Sequence, residues 1–117
     1  DLINVASGKI RPLSDLRGSR VFTFAGIARP RSLDDLLRSL GAVIAGTASF
    51  SDHYSYTEQD LDDVINNAAD CGASLIVTTE KDGIRFQKMA PDGIWALRID
   101  LDIIEQAAWE ELMTGAL

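Results

Sequence analysis

The sequence predicts an α/β domain: a Rossmann-like, mostly parallel sheet of about four strands with helices on both faces. Three observations predict it. Short β-branched and aromatic runs alternate with stretches whose apolar residues repeat at helical spacing. The runs themselves are near-continuously apolar, as expected of strands covered on both faces. At 117 residues the chain has the usual size of one domain around one core.

Arg20 to Ala25 (RVFTFA) ends at Gly26 and reads as a short buried strand entering a loop. The loop GIARPRS leads to Ser32, with Asp35 three residues on. That is a capping-box spacing: the hydroxyl accepts from an orphan amide, and the carboxylate suits the positive helix end. Leu33, Leu36, Leu37 and Leu40 then form one apolar stripe, and Gly41 stops the helix. Ala42 to Ser49 (AVIAGTAS) is a second strand, weakened by Gly46. Thr57 with Asp60 makes the next cap, and Leu61, Val64, Ile65, Ala68 and Ala69 form the next stripe before Gly72.

Ser74 to Thr78 (SLIVT) is a third strand, Thr79-Glu80-Lys81-Asp82 its exit, and Gly83 to Lys88 a short helix or turn. Pro91-Asp92-Gly93 signals a turn before a fourth strand, Ile94 to Ile99 (IWALRI). Asp102 opens a last helix with Ile103, Ile104, Ala107, Ala108 and Leu112 inward. Residues 1–19 are an irregular lead-in in which only Leu13 to Leu16 is placed, as a helical turn. Nothing divides the chain into repeats or linkers, so residues 1–117 read as a single domain.

Composition is that of an ordinary globular protein, 46% hydrophobic and 25% charged. No apolar run reaches a membrane-spanning length, and no signal-peptide pattern is present. A lone cysteine, Cys71, cannot form an internal disulfide; it points to a reducing compartment and reads as a small buried hydrophobe. The net charge of −7 argues against a general nucleic-acid binder. Charge is unevenly spread, since residues 1–40 carry seven basic and four acidic side chains, a balance of +3, against −10 for the remainder. Such a basic edge could face a phosphate or an anionic membrane surface; arginines scattered over several elements explain it equally well.

In open α/β sheets, ligands collect at the carboxyl ends of strands. Three segments fall there: Gly26 to Arg31, Ser49 to Tyr56 and Thr78 to Asp82. They hold the only histidine, His53, beside Asp52 in the stretch SFSDHYSYTEQDL. An aspartate near a histidine can orient the imidazole and favour its charged form. Adjacent residues in an extended loop point apart, however, so spacing alone favours a solvated loop residue. Metal binding fails for want of ligands, since one His and one distant Cys do not make a zinc site. Ser49, Ser51 and Ser55 stand in no Gly-x-Ser-x-Gly elbow. Gly8-Lys9 has the ending of a phosphate loop, but Ile3 and Ile10 occupy the positions that need Gly and Ser or Thr, and no Gly-x-Gly-x-x-Gly occurs. Asp60, Asp62 and Asp63 read as solvated helix surface. A response-regulator receiver is disfavoured because the strand ends, Ala25-Gly26 and Thr78-Thr79, lack its acidic residues.

FAGIARP (24–30), LLRSLGA (36–42), FSDHYSYTEQDL (50–61) and LIVTTEKDGIRF (75–86) occur in an order and spacing that resemble the C-terminal part of the tetraacyldisaccharide 4'-kinase family. The opening LINVASGKIRPLSDLRG (2–18) resembles that family's lead-in, so the likeness spans the whole chain. The resemblance implies transfer of the ATP γ-phosphoryl group to the 4'-hydroxyl of a lipid A precursor, tetraacyldisaccharide 1-phosphate, in Gram-negative bacteria. It implies ATP and Mg2+ as cofactors, bound mainly by an N-terminal lobe that holds the P-loop, and a peripheral location on the cytoplasmic face of the inner membrane. The start at Asp1, with no initiator methionine, and the missing phosphate loop fit an excised C-terminal lobe, soluble and inactive by itself. Its partners would be that N-terminal lobe, the lipid A precursor and the membrane surface, with no nucleic acid and no metal of its own.

By the same resemblance His53 and Asp52 are the catalytic pair. His53 would face the cleft and tune an N-terminal-lobe aspartate that acts on the substrate hydroxyl, and Asp52 would support the charge. Tyr54, Arg29, Thr79, Glu80, Lys81 and Asp82 are candidates for substrate or interlobe contact. Tyr54 stands where many members carry a second histidine, so no role needing two imidazoles transfers. The TTEKD stretch matches without a mechanism, beyond local capping of a strand-to-helix turn. The rival reading is a non-catalytic α/β module that binds a ligand or protein.

Overall fold

Alternate residues of the strand Arg20–Ala25 point into two different cores. Val21 and Ala25 join Leu33, Leu37, Val77 and Leu97 on one side, while Phe22 and Phe24 join Leu61, Val64, Ala68 and Phe86 on the other. That division is the period-two signature of a strand buried on both faces. The computed structural model describes residues 1–26, 30–51 and 54–98, with residues 30–32 as backbone only. Among these the order is β1 (Leu2–Asn4), β2 (Ile10–Arg11), β3 (Arg20–Ala25), α1 (Pro30–Ser39), β4 (Val43–Ser49), α2 (Glu58–Asp70), β5 (Leu75–Thr79), α3 (Glu80–Phe86) and β6 (Ile94–Leu97). Short 3-10 turns lie at Leu13–Leu16 and Gln87–Met89.

The strands form one sheet in the order β2-β1-β6-β5-β3-β4. β3 pairs in parallel with β4 and with β5, and β5 pairs in parallel with β6. β1 runs antiparallel to β6, and β2 antiparallel to β1. From β3 the chain goes outward to β4 through α1; from β5 it goes the other way, to β6 through α3. The two neighbouring strands therefore send their connections in opposite directions. Their carboxyl ends flank the switch-point crevice where open α/β sheets bind ligands.

The sheet thus has six strands where about four were expected. The two additions lie in the lead-in, and their shortness left no periodicity to read. The final strand spans Ile94–Leu97 and stops before Arg98, which was expected in it; Ile99 and the helix expected from Asp102 lie outside the described residues. α1 begins at Pro30, two residues before Ser32, so Ser32 is not its N-cap. Proline's fixed φ and missing N–H suit a first helical turn. α3 begins at Glu80 rather than Gly83. Cys71 caps α2 at its C-terminal end and is partly, not fully, buried. Gly46 marks a close approach: a Cβ there would stand 3.0 Å from both the Phe22 ring and the Cys71 sulfur. Next to it the β3–β4 register slips, with Val21 opposite Ile44 and Phe22 opposite Gly46.

The α2 start is as read. Asp60 N donates to Thr57 Oγ1 (3.1 Å), and Thr57 N donates to Asp60 Oδ2 (2.9 Å), a complete capping box. The main-chain bond from Thr57 holds the Asp60 carboxyl below its usual range. Thr57→Ala should lower unfolding free energy by about 1 kcal/mol, read as a lower urea midpoint at unchanged slope, with Thr57→Ser near wild type.

Three arginines of the first third, Arg11, Arg20 and Arg38, have partners within the fold. Arg11 pairs with Asp15 at 2.9 Å and lies over the Trp95 ring. Arg20 donates to the Cys71 carbonyl, and Arg38 pairs with Asp35.

Candidate functional site

β3 ends at Ala25, β5 at Thr79, and the chain after β4 turns back past both exits. Phe50 N donates to the Ala25 carbonyl at 3.1 Å, and Tyr54 N donates to the Ser51 carbonyl at 3.1 Å. Asp52 and His53 fall between those two anchors and lie outside the described residues, as does Arg29.

Aromatic packing seats this segment. Phe24, wholly buried at the end of β3, lies 6.2 Å from Phe50, 5.8 Å from Tyr56 and 5.6 Å from Phe86 between ring centroids. Tyr54 closes the cluster against Phe50 (4.8 Å) and Tyr56 (5.3 Å). Edge-on and offset pairs of this kind contribute beyond their buried area. The Asp60 carboxylate, accepting from the Tyr54 hydroxyl, holds that phenol above its usual range and links it to the first turn of α2.

Asp82 ties the three strand-end segments together. Its side chain is 2% exposed. Oδ1 accepts from Gly26 N (3.2 Å) and from the Tyr56 hydroxyl (3.0 Å), and Oδ2 accepts from Thr79 Oγ1 (2.5 Å). Thr79 Oγ1 in turn accepts from Asp82 N (3.1 Å) and caps α3. Burial, and then the Asp82 charge, push the Tyr56 phenol well above its usual range, so it remains protonated as a donor. Gly26 permits the close approach. A Cβ there would stand 2.7 Å from the Ser51 carbonyl oxygen and 3.3 Å from Asp82 Oδ1.

Of the candidates from sequence, the structure brings Tyr54, Thr79, Glu80 and Asp82 to this edge. Thr79 and Asp82 act as the local cap foreseen, and Asp82 also reaches across the sheet; its oxygens are occupied inside the fold rather than presented for contact. Glu80 is partly exposed and pairs with Arg98 at 3.2 Å, beside a shallow groove of about 170 Å³ between β1 and α3. Lys81 is exposed. Gly26 and Tyr56 were missed. A signal existed for Tyr56: it precedes the Thr57 cap, with Leu61 at the hydrophobic-staple spacing, and both are buried in one cluster.

Among the described residues no group of three or more His, Cys, Asp or Glu is placed to hold a metal ion. The sequence also holds no phosphate loop, the usual cradle for a nucleotide. The edge can instead hold a loop in place and offer polar groups to whatever faces it.

The family model described as tetraacyldisaccharide-1-P 4'-kinase matches residues 1–117. The chain belongs to this kinase family. Among curated members, the tetraacyldisaccharide 4'-kinase of Chelativorans sp. (strain BNC1) is 38% identical over 120 residues, covering 96% of this chain and 35% of its own length. That of Anaeromyxobacter dehalogenans (strain 2CP-C) is 36% identical over 110 residues, covering 91% of this chain and 29% of its own. The chain therefore spans about a third of the kinases it matches. The crystal structure of the "apo" form of LpxK from Aquifex aeolicus in complex with ATP superposes with a TM-score of 0.56 at 25% identity. It covers 83% of this chain and 27% of that kinase.

Proposed function

We propose that this chain is the C-terminal lobe of an ATP-dependent lipid kinase that phosphorylates the 4'-hydroxyl of tetraacyldisaccharide 1-phosphate. One observation carries the reading. The chain matches this kinase family over residues 1–117 and spans about a third of its relatives' length, as one lobe of a longer kinase would. ATP and Mg2+ belong to the N-terminal lobe in this reading, and no step on this chain runs through them.

Phosphoryl transfer is catalysed mainly by positioning and charge stabilisation, so a second lobe can contribute with one polar group. His53 orients and tunes the N-terminal-lobe base that acts on the substrate hydroxyl, and Asp52 supports the charge. Tyr54 and Glu80 with Lys81 border the cleft. The working location is the cytoplasmic face of the inner membrane, held peripherally; among the described residues no helix is long and apolar enough to cross a membrane.

Two arms test this. The full-length protein carrying this chain should transfer phosphate from ATP to tetraacyldisaccharide 1-phosphate. Residues 1–117 alone should show no saturable NMR shift with ATP–Mg2+ below millimolar concentration. Failure of transfer by the full-length protein, or tight nucleotide binding by the chain alone, would contradict the assignment.

A further inference from the structure

We propose that Asp82 is a positioning residue for the reaction, holding the segment that bears His53 in register with the exits of β3 and β5. The inference rests on the kinase reading above and deepens it.

Asp82 lies too deep to meet a substrate, with 2% exposure. Its hydrogen bonds nevertheless join residues that are far apart in sequence. Gly26 N belongs to the β3 exit, the Tyr56 hydroxyl to the returning segment, and Thr79 Oγ1 to the β5 exit. Only the last of these is local, beside the α3 cap that Asp82 N makes to Thr79 Oγ1. The other two donors come from 56 and 26 residues away, and each fixes a different wall of the same crevice. Tyr56 follows His53 by three residues. Ser51, which precedes Asp52, sits so close to Gly26 that a methyl group would not fit between them. The described residues on either side of the pair, Ser51 and Tyr56, are thus each held, and Asp82 bonds Tyr56 directly and the Gly26 amide on which Ser51 rests. Because a misplacement of about 1 Å can cost about 100-fold in rate, a buried carboxylate that sets this spacing acts on turnover without touching substrate.

The test uses the full-length kinase and a double-mutant cycle. Asp82→Ala is expected to lower kcat about 10- to 100-fold while leaving KM for ATP within about 2-fold, since the nucleotide is held elsewhere. Asp82→Asn should recover to within about 3-fold of wild type. One amide oxygen still accepts from Gly26 and Tyr56, and the Thr79 hydroxyl can turn to accept from the amide nitrogen. In a His53→Ala background, Asp82→Ala should cost no more than about 2-fold further, because the group it positions is gone. Should Asp82→Ala fail to fold, Tyr56→Phe provides the same cycle with the ring packing kept and an expected loss of about 3- to 10-fold.

A full, multiplicative loss in the His53→Ala background would overturn the proposal, as would unchanged kcat in the folded Asp82→Ala or Tyr56→Phe variants. Those results leave the His53 assignment standing. Unchanged kcat in His53→Ala alone would remove that assignment and this one with it.

Discussion

Phe24→Ala is expected to lower the free energy of unfolding by about 3–5 kcal/mol. Phe24 has no exposed surface and meets three aromatic rings, Phe50 and Tyr56 from the segment between β4 and α2 and Phe86 from α3. Truncation forfeits the transfer free energy of the ring and leaves a cavity that rigid aromatic neighbours cannot close. The damage should reach the site as well, because two of the three rings belong to the segment that returns across the sheet edge. Chemical denaturation would show a lower midpoint. Phe24→Leu, which restores much of the volume, should recover more than half of the loss. A loss under about 1 kcal/mol for the alanine variant would mean that the aromatic cluster does not pack as described.

His53→Ala in the full-length kinase is expected to lower kcat about 100-fold, at the lower end of what a positioned acid–base group contributes. The melting temperature should stay within about 2 °C of wild type, as for a substitution that removes no core packing. KM for ATP should hold, because the nucleotide belongs to the other lobe in this account. A drop in kcat and kcat/KM together identifies an interaction made in the transition state; a rise in KM alone would mean ground-state contact. His53→Gln keeps a hydrogen-bonding side chain of similar reach but cannot carry the imidazolium charge. Partial recovery there would point to orientation, and none to charge.

Much of the frame could be read from residue pattern because it is local. β3 coincides with the predicted Arg20–Ala25, and the α2 box is the predicted Thr57–Asp60 pair. Both signals sit within a few residues of the structure they specify. β1 and β2 were missed for the opposite reason. Their three and two residues are strands only because Leu2 to Asn4 find Leu97 to Trp95 near the far end of the chain. α1 starts at Pro30 rather than after Ser32, a first-turn position that proline's fixed φ and missing N–H suit.

The site divides along the same line. Local capping by the Thr79-to-Asp82 stretch was expected without its pair being named, and Thr79 with Asp82 forms it. The reach of Asp82 to Gly26 and Tyr56 was not, since spatial neighbours separated by 56 and 26 residues leave no periodic trace. Asp52 and His53 were singled out chiefly through family likeness, and they lie outside the described residues.

The central claim is that the carboxyl edge of the parallel strands faces the nucleotide-bearing lobe. Hydrogen exchange on the full-length kinase tests it most directly, comparing the free protein with one given ATP–Mg2+ and tetraacyldisaccharide 1-phosphate. The account predicts slowed exchange at Gly26, Ser51 and Tyr54, and no change at Gly18, Gly41, Gly72 and Gly93 on the opposite edge. Slowing confined to those four glycines, with the first three unaffected, would contradict it.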